Sequence, residues 1–135
     1  MTNATLASEF VTDTIGLVLR IERRQLSEKV KSIFESVESG STIVYIPVIA
    51  FAEILYLSEK GRIRTSIDTV EDYLKKYPNY KEYALNFAVI QSATEIIDIP
   101  ELHDRLIAAT ARHLDRELIT NDSVIQASAF VKTAW

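Results

Sequence analysis

The sequence predicts an α/β fold in which a short parallel sheet carries helices on both faces. Short segments rich in β-branched and aromatic residues alternate with longer segments whose apolar residues recur at helical spacing. Only three Gly and three Pro are present, which argues against both disorder and a turn-rich β-sandwich. A chain of 135 residues with 47% hydrophobic residues is long enough to form one domain, residues 1–135, with a substantial core.

The first half of the chain contains two predicted strands and two predicted helices. Leu6–Thr12 is predicted to be the first strand. A helix follows from the N-cap Ser27, and Gly40 favours its end. Thr42–Ile46 is a β-branched and aromatic run, which predicts a buried strand. Val48–Lys60 predicts a helix because a proline precedes it and a glycine follows it.

The second half of the chain continues the alternation of helices and strands. A third helix is expected to begin after a cap at Thr65 or Ser66 and to end before Pro78. The remaining elements, in chain order, are the strand Tyr83–Asn86, the helices Phe87–Ile97 and Leu102–Leu114, and the strands Glu117–Thr120 and Val131–Trp135. Because helices separate the strands, we expect a parallel sheet whose carboxyl-terminal edge holds the functional residues.

Composition excludes several kinds of site. The chain has no cysteine, so disulfides, thiolate metal sites and cysteine nucleophiles are excluded. The first residues lack the basic start and the apolar core of a signal peptide. The longest apolar stretch, Ile43–Leu57, is too short to span a membrane. We therefore expect a cytoplasmic protein that does not associate with membranes.

The charge distribution leaves room for only a small basic surface. The net charge of −4 argues against a large nucleic-acid-binding face. Two basic clusters are present, and we interpret both as solvated helix ends and loops, because runs of charge usually keep a face in contact with water. The clusters are Arg20, Arg23, Arg24, Lys29 and Lys31, and Lys60, Arg62 and Arg64.

Four acidic residues stand beside apolar segments, where a carboxylate without a partner is costly. Asp13 and Asp122 directly follow predicted strands, and Glu53 and Asp104 lie in the early turns of predicted helices. Such positions share one edge of a parallel sheet, so we expect the four acids to converge. No Lys or Arg recurs at a fixed offset from all four, whereas Mg²⁺ or Mn²⁺ suits a set of oxygen ligands. The pattern favours metal-dependent chemistry on a phosphate.

Each of the four acids also has an ordinary structural explanation. Glu53 and Asp104 near helix N-termini favour the helix dipole. Asp13 suits a turn, and Asp122 suits an Asx-turn or a helix cap. Four acids at equivalent topological positions are less easily accidental, which is why we favour a shared site.

Five segments, in order over nearly the whole chain, resemble the motifs of PIN domains. The third segment matches its motif closely and is the most specific of the five. The short form of the chain resembles the VapC-type toxins of bacterial and archaeal toxin–antitoxin pairs. The matching segments are Phe10–Leu17, Tyr45–Ile63, Leu102–Ala111, Leu118–Asp122 and Val131–Trp135.

The resemblance implies an endoribonuclease that depends on Mg²⁺ or Mn²⁺. In such an enzyme, metal-activated water cleaves the phosphodiester bonds of RNA. The resemblance places Asp13, Glu53, Asp104 and Asp122 at the family's acidic positions, where they would be the metal-binding and catalytic residues. Asp13 and Asp104 would be the direct metal ligands, and the other two would complete the ligand set or orient the attacking water.

The resemblance also assigns supporting residues and partners. Thr14 and Thr120 match hydroxyl positions beside the site, where they would orient a carboxylate or contact phosphate. A homodimer is implied, as is a small antitoxin protein that occupies the active-site groove. The family commonly has a small or polar residue after its Asp-Thr pair, whereas this chain has Ile15 followed by Gly16. This departure keeps the metal ligands and leaves the RNA target open.

Two other function classes remain as alternatives. A phosphoreceiver-like signalling domain also places acids at the ends of parallel strands. It requires paired acids after its first strand, however, and here the second acid is Glu53, inside a predicted helix. An inactive PIN-like module that only dimerises or binds a partner is the second alternative, and the presence of all four acids argues against it.

Overall fold

The computed structural model describes residues 8–135, in which five parallel strands alternate with helices. The strands are β1 (Ser8–Thr12), β2 (Thr42–Pro47), β3 (Tyr80–Tyr83), β4 (Glu117–Ile119) and β5 (Thr133–Ala134). The helices are α1 (Thr14–Ile21), α2 (Glu28–Glu38), α3 (Val48–Glu59), α4 (Ile67–Lys76), α5 (Phe87–Ala93), α6 (Leu102–Leu114) and α7 (Ser123–Gln126). The predicted α/β fold with a parallel sheet is confirmed.

β1 lies at the centre of the sheet, whose strand order is β3-β2-β1-β4-β5. Val11 of β1 is aligned with Tyr45 of β2 and with Leu118 of β4. The carboxyl ends of β1 and β4 lie side by side, because Thr12 pairs with Ile119. The residues that follow these two strands therefore enter the same edge of the sheet.

The two faces of the sheet each bury a hydrophobic core, because successive strand residues point to opposite faces. Val11 and Leu118 are fully buried in the core formed with α5 and α6. Val44 and Ile119 are fully buried in the core formed with α1, α2, α3 and α4. The predicted placement of helices on both faces is confirmed.

The third strand begins earlier in the sequence than predicted. It is Tyr80–Tyr83, not Tyr83–Asn86, because the Asn86 side chain caps α5 by accepting a hydrogen bond from the Val89 N–H at 3.0 Å. The strand lies at the edge of the sheet, and its two central residues are exposed and charged. A short polar edge strand of this kind lacks the apolar alternation from which strands are recognised.

α3 and β4 each end one residue before their predicted bounds, at Glu59 and Ile119, and two other elements are shorter by more. α5 ends at Ala93 rather than at Ile97, because the next bonds run to the third residue back and tighten the chain. This turn buries Ile96 and leaves Ile97 82% exposed. The last strand covers Thr133–Ala134, within the predicted Val131–Trp135.

The sequence pattern predicts neither α1 nor α7. α1 begins immediately after β1 within one apolar stretch, so the sequence shows no turn between the two elements. Each helix begins at an acid that caps it, Asp13 for α1 and Asp122 for α7. Leu6, where the first strand was predicted to begin, lies outside the described residues.

The other predicted helix starts are confirmed, and two of these helices have a predicted cap. Ser27 caps α2 by accepting a hydrogen bond from the Val30 N–H at 3.1 Å. Ser66, rather than Thr65, caps α4 in the same way. α6 has the predicted bounds Leu102–Leu114.

Arg20 is buried, so the prediction that the whole first basic cluster is solvated is wrong for this residue. Its guanidinium donates to the Glu38 carboxylate from Nε at 2.9 Å and from Nη2 at 2.7 Å. The hydroxyls of Tyr73 and Tyr80 donate to the same carboxylate. This network joins α1, α2, α4 and β3, and an arginine at the end of α1 completes it.

Among the helices of residues 8–135, none combines the length and the apolar character that a membrane crossing requires.

Candidate active site

The four acids predicted from the sequence line one cavity at the carboxyl-terminal edge of the sheet. The cavity has a volume of about 150 Å³. No Lys or Arg of the described chain is among its lining residues. Those residues are Asp13, Thr14, Ile15, Glu53, Leu57, Asp104, Ile107, Asn121, Asp122 and Ile125. The structure thus brings together acids that are up to 109 positions apart in the sequence (122 minus 13).

Asp13 is the most buried of the four acids, with 8% of its surface exposed. It follows β1, and its N–H donates to the carbonyl of Ile119 at 3.0 Å, which fixes it against the end of β4. Its Oδ1 accepts the Gly16 N–H at 2.7 Å. Burial raises its pKa to about 6, the charges of Asp122 and Glu53 add to the rise, and interactions with the Thr120 hydroxyl and the Gly16 N–H oppose it.

Gly16 allows this close approach. A Cβ atom at this position would lie 2.9 Å from the Thr12 Oγ1 and 3.0 Å from the Asp13 Oδ1, closer than side chains normally tolerate. The neighbouring Ile15 is 42% exposed and lines the cavity. The Ile15–Gly16 pair, identified in the sequence only as a departure from the family, therefore has two roles: one residue shapes the cavity wall, and the other positions Asp13.

Asp122 follows β4 and caps α7. Its Oδ1 accepts the N–H groups of Val124 at 2.9 Å and of Ile125 at 3.0 Å. Its own N–H donates to the Thr120 Oγ1 at 3.1 Å. The buried Thr120 hydroxyl thus contacts the Asp122 backbone and also lowers the pKa of Asp13. Thr120 therefore connects two of the acids.

Glu53 is held by the hydroxyl of Thr14, which donates to its Oε1. This bond joins α1 to α3 across the cavity. Glu53 is the sixth residue of α3 and lies beyond the first turn. The helix dipole stabilises a carboxylate mainly within the first turn. The dipole explanation considered from the sequence therefore does not account for Glu53.

Asp104 lies in the first turn of α6. Burial raises its pKa to about 6, and the charges of Asp122, Glu101 and Glu53 add to the rise. Glu101, which the sequence analysis did not identify, caps the helix by accepting the Asp104 N–H at 2.9 Å. The other carboxylate oxygen of Glu101 lies 2.9 Å from the Nδ1 of His103. This imidazole is therefore engaged by Glu101.

The donor set fits a hard divalent cation by its chemistry. Four carboxylates line one small cavity, and burial, with a smaller contribution from the charges of the neighbouring acids, raises the pKa of two of them. Within residues 8–135, however, no three acidic or histidine side chains already form a metal-binding cluster. Three of the four carboxylates instead accept hydrogen bonds from neighbouring N–H or hydroxyl groups.

Solved structures share the fold over nearly their whole length. VapBC2 from Rickettsia felis, bound to a DNA fragment from its promoter, has a TM-score of 0.71 at 16% identity, covering 94% of this chain and 98% of that one. A toxin–antitoxin complex from Klebsiella pneumoniae gives 0.63 at 15% identity, covering 93% and 96%. DNA-bound VapBC from Salmonella typhimurium gives 0.68 at 14% identity, covering 96% and 98%.

Sequence comparison identifies the family. No curated protein sequence is significantly similar to the chain. The sequence model of the PIN domain matches residues 11–131, which include the four acids of the cavity. Because this match covers most of the chain, the protein belongs to the PIN domain family.

Proposed function

We propose that the protein is a Mg²⁺- or Mn²⁺-dependent endoribonuclease and the toxin of a toxin–antitoxin pair. The observation that carries the proposal is the convergence of Asp13, Glu53, Asp104 and Asp122 on one cavity that lacks basic lining residues within the described chain. Membership of the PIN domain family supports it. The structural neighbours include complexes described as VapBC and as toxin–antitoxin assemblies, which supports the toxin role.

Asp13 and Asp104 would hold the metal ion, since burial and repulsion make their ionised forms the most in need of a positive partner. Glu53 and Asp122 would complete the ligand set or orient the attacking water. Thr14 fixes Glu53 through its hydroxyl, so it acts by positioning. When bound, the ion would lower the pKa of a water molecule and offset the charge that develops on the phosphate.

A small antitoxin and a second copy of the chain are the partners we infer. The structural neighbours described as VapBC and as a toxin–antitoxin complex support the antitoxin. We assign the protein to the cytoplasm, where its RNA substrate is found.

The decisive experiment compares RNA cleavage by the wild type and by Asp104→Asn. We expect the wild type to cut total RNA with Mg²⁺ or Mn²⁺ and to lose activity in EDTA, while Asp104→Asn stays folded and inactive. Glu71→Gln, which removes an exposed acid on α4 away from the cavity, is the matched control and should cut like the wild type. Mapping the new RNA ends would identify the target.

Substantial cleavage by Asp104→Asn at saturating Mg²⁺ would contradict the metal-binding role of this residue. The toxin role has its own test, which is induced expression without a partner. The wild type should arrest growth and Asp13→Asn should not. Equal growth at equal protein levels would exclude the toxin role and leave the nuclease role standing.

The inactive binding module is the second candidate, and one observation favours it. The acids are not already arranged to hold a metal ion within the described residues. This candidate predicts that the wild type and Asp104→Asn bind partners equally well and that neither cuts RNA. Membership of the PIN domain family sets aside the phosphoreceiver-like alternative.

A further inference from the structure

A second cavity, with a volume of about 740 Å³, lies between the end of α1 and the loop that follows α3. Three arginines line it, Arg24, Arg62 and Arg64, and Glu22 is its one acidic lining residue in the described chain. We call it the basic cavity. Two of these arginines belong to the second basic cluster of the sequence, which we interpreted there as a solvated loop.

The positive charge of the arginines in the basic cavity is not fully neutralised by acidic neighbours. Within residues 8–135, no ion pair involves Arg62 or Arg64, and both side chains are exposed. Arg24 is 58% exposed and lies 3.6 Å from the Glu22 Oε1, a loose contact. Three arginines against one glutamate leave a net charge of +2 in a chain whose net charge is −4.

The Glu22 carboxylate accepts hydrogen bonds mainly from the loop that follows α3. Its Oε2 accepts the N–H of Arg64 at 2.9 Å, the N–H of Thr65 at 2.9 Å and the Thr65 hydroxyl at 2.7 Å. At the other end of the loop, the Arg62 N–H donates to the Leu57 carbonyl at 2.9 Å. The backbone that carries Arg62 and Arg64 is therefore tied to both α1 and α3, which limits the entropy lost when these side chains bind a ligand.

The acidic and basic cavities lie along the same two helices. Leu57 lines the acidic cavity, and its carbonyl accepts the N–H of Arg62, which lines the basic cavity, at 2.9 Å. On α1, Ile15 lines the acidic cavity and Ile21, the last residue of the helix, lines the basic one, about 9 Å further along. α1 and α3 pack against each other, so the two cavities lie beside the same pair of helices.

We propose that the basic cavity binds a phosphate of the RNA strand whose cleaved bond lies in the acidic cavity. The inference rests on the proposed nuclease function. Without its metal ion, the cluster of carboxylates repels a polyanion, and the arginines of the basic cavity supply positive charge that attracts it. Guanidinium groups match phosphate oxygens in geometry and stay charged at all physiological pH values.

Another arginine-containing cavity, of about 520 Å³, does not offer such a site. Arg112 is bonded to Glu95 at 3.1 Å and to the Phe130 carbonyl at 2.9 Å. Arg116 is bonded to Glu9 at 3.1 Å. Their guanidinium groups already have partners, in contrast to those of Arg62 and Arg64.

The test is the binding of a short fluorescent single-stranded RNA in EDTA, so that no cleavage occurs, across a series of KCl concentrations. Arg62→Gln/Arg64→Gln should weaken binding at least about tenfold and flatten the plot of log K against log salt by about 0.7, because one phosphate contact is lost. The matched control, Lys75→Gln/Lys76→Gln, makes the same charge change at the far end of α4 and should bind like the wild type.

Equal affinity and equal salt slope in the arginine variant and the control would overturn the inference. If the arginine variant binds RNA normally but loses a partner protein, the cavity belongs to that partner and the inference is also overturned. With Mg²⁺ present, we expect a raised KM and an unchanged kcat. Wild-type protein that binds RNA through these arginines but never cleaves it would support the cavity and refute the nuclease function.

Discussion

Replacing Gly16 by alanine would place a methyl group between two oxygens that shape the acidic cavity. The added Cβ would lie 2.9 Å from the Thr12 Oγ1 and 3.0 Å from the Asp13 Oδ1. Both neighbours are buried, so neither can move freely into solvent. We therefore expect the Asp13 carboxylate to shift and its bond to the residue-16 N–H, 2.7 Å in the wild type, to lengthen.

The effect of this substitution on stability is the difference between two opposing contributions. Overpacking a buried site costs about 1–3 kcal/mol. Alanine is favoured over glycine inside a helix by about 1 kcal/mol. We expect a net loss of about 1 kcal/mol, which lowers the melting temperature by about 4 °C for a domain of this size. The effect on cleavage should be larger, about 10- to 100-fold, because catalytic groups tolerate little displacement.

The assay combines thermal melting with Mg²⁺-dependent RNA cleavage at 25 °C. Val37→Ala is the control, since Val37 is buried in α2, does not line the acidic cavity, and its truncation should cost about 2 kcal/mol. The control should lose stability and keep its activity. If Gly16→Ala cleaves RNA with the wild-type rate and the wild-type Mg²⁺ requirement, the close approach does not set the position of Asp13 and the reasoning is wrong.

Two further predictions concern charge. Burial alone would raise the pKa of Glu38, but hydrogen bonds from Arg20 and two tyrosines lower it to about 2. The ionised carboxylate therefore stabilises the fold above about pH 4.5, and this contribution is lost as the pH falls towards 2. Glu38→Gln should lower the free energy of unfolding, measured with urea at pH 7, by about 3 kcal/mol, and by less at pH 3. A smaller decrease at pH 7 than at pH 3 would contradict the prediction. Burial raises the pKa values of Asp13 and Asp104 to about 6 in the folded protein, so these groups lose their protons at a lower pH in the unfolded chain. Without metal, the free energy of unfolding should therefore decrease as the pH rises from about 4 to about 6. Mg²⁺ at 100 times its Kd should restore about 3 kcal/mol at pH 7.5 and far less at pH 5, and melting curves without a Mg²⁺-dependent shift at pH 7.5 would refute a shared site.

The helices with strong periodicity were predictable from sequence because their apolar residues face one core throughout. Leu102–Leu114 is predicted and observed with the same bounds. β3 was not placed correctly because its exposed central residues, Lys81 and Glu82, carry no apolar alternation. α1 was missed because strand and helix share one apolar stretch, and because Gly16 is a poor helix former whose role depends on a contact with the preceding turn.

The acids of the candidate site could be found from sequence because topology alone places them together. The ends of parallel strands and the starts of the following helices meet at one edge of the sheet, whatever the details of packing. Glu101 could not be found in this way, because its role is to cap the helix that carries Asp104. Gly16 could not be found either, since the sequence does not reveal how closely the side chains of Thr12 and Asp13 approach its backbone.

Hydrogen bonds at helix starts explain how four like charges are held close together without a basic partner in the described chain. They also explain why Asp104 is the most informative residue to change. Asp13 and Asp122 accept backbone N–H groups at the starts of α1 and α7, where the partial positive charge of the helix is greatest. Glu53 accepts a threonine hydroxyl. No hydrogen bond to the Asp104 carboxylate is found within residues 8–135, because Glu101 caps α6 in its place. Asp104→Asn therefore removes a charge without uncapping a helix, so it should relieve repulsion and raise the metal-free melting temperature while it abolishes cleavage.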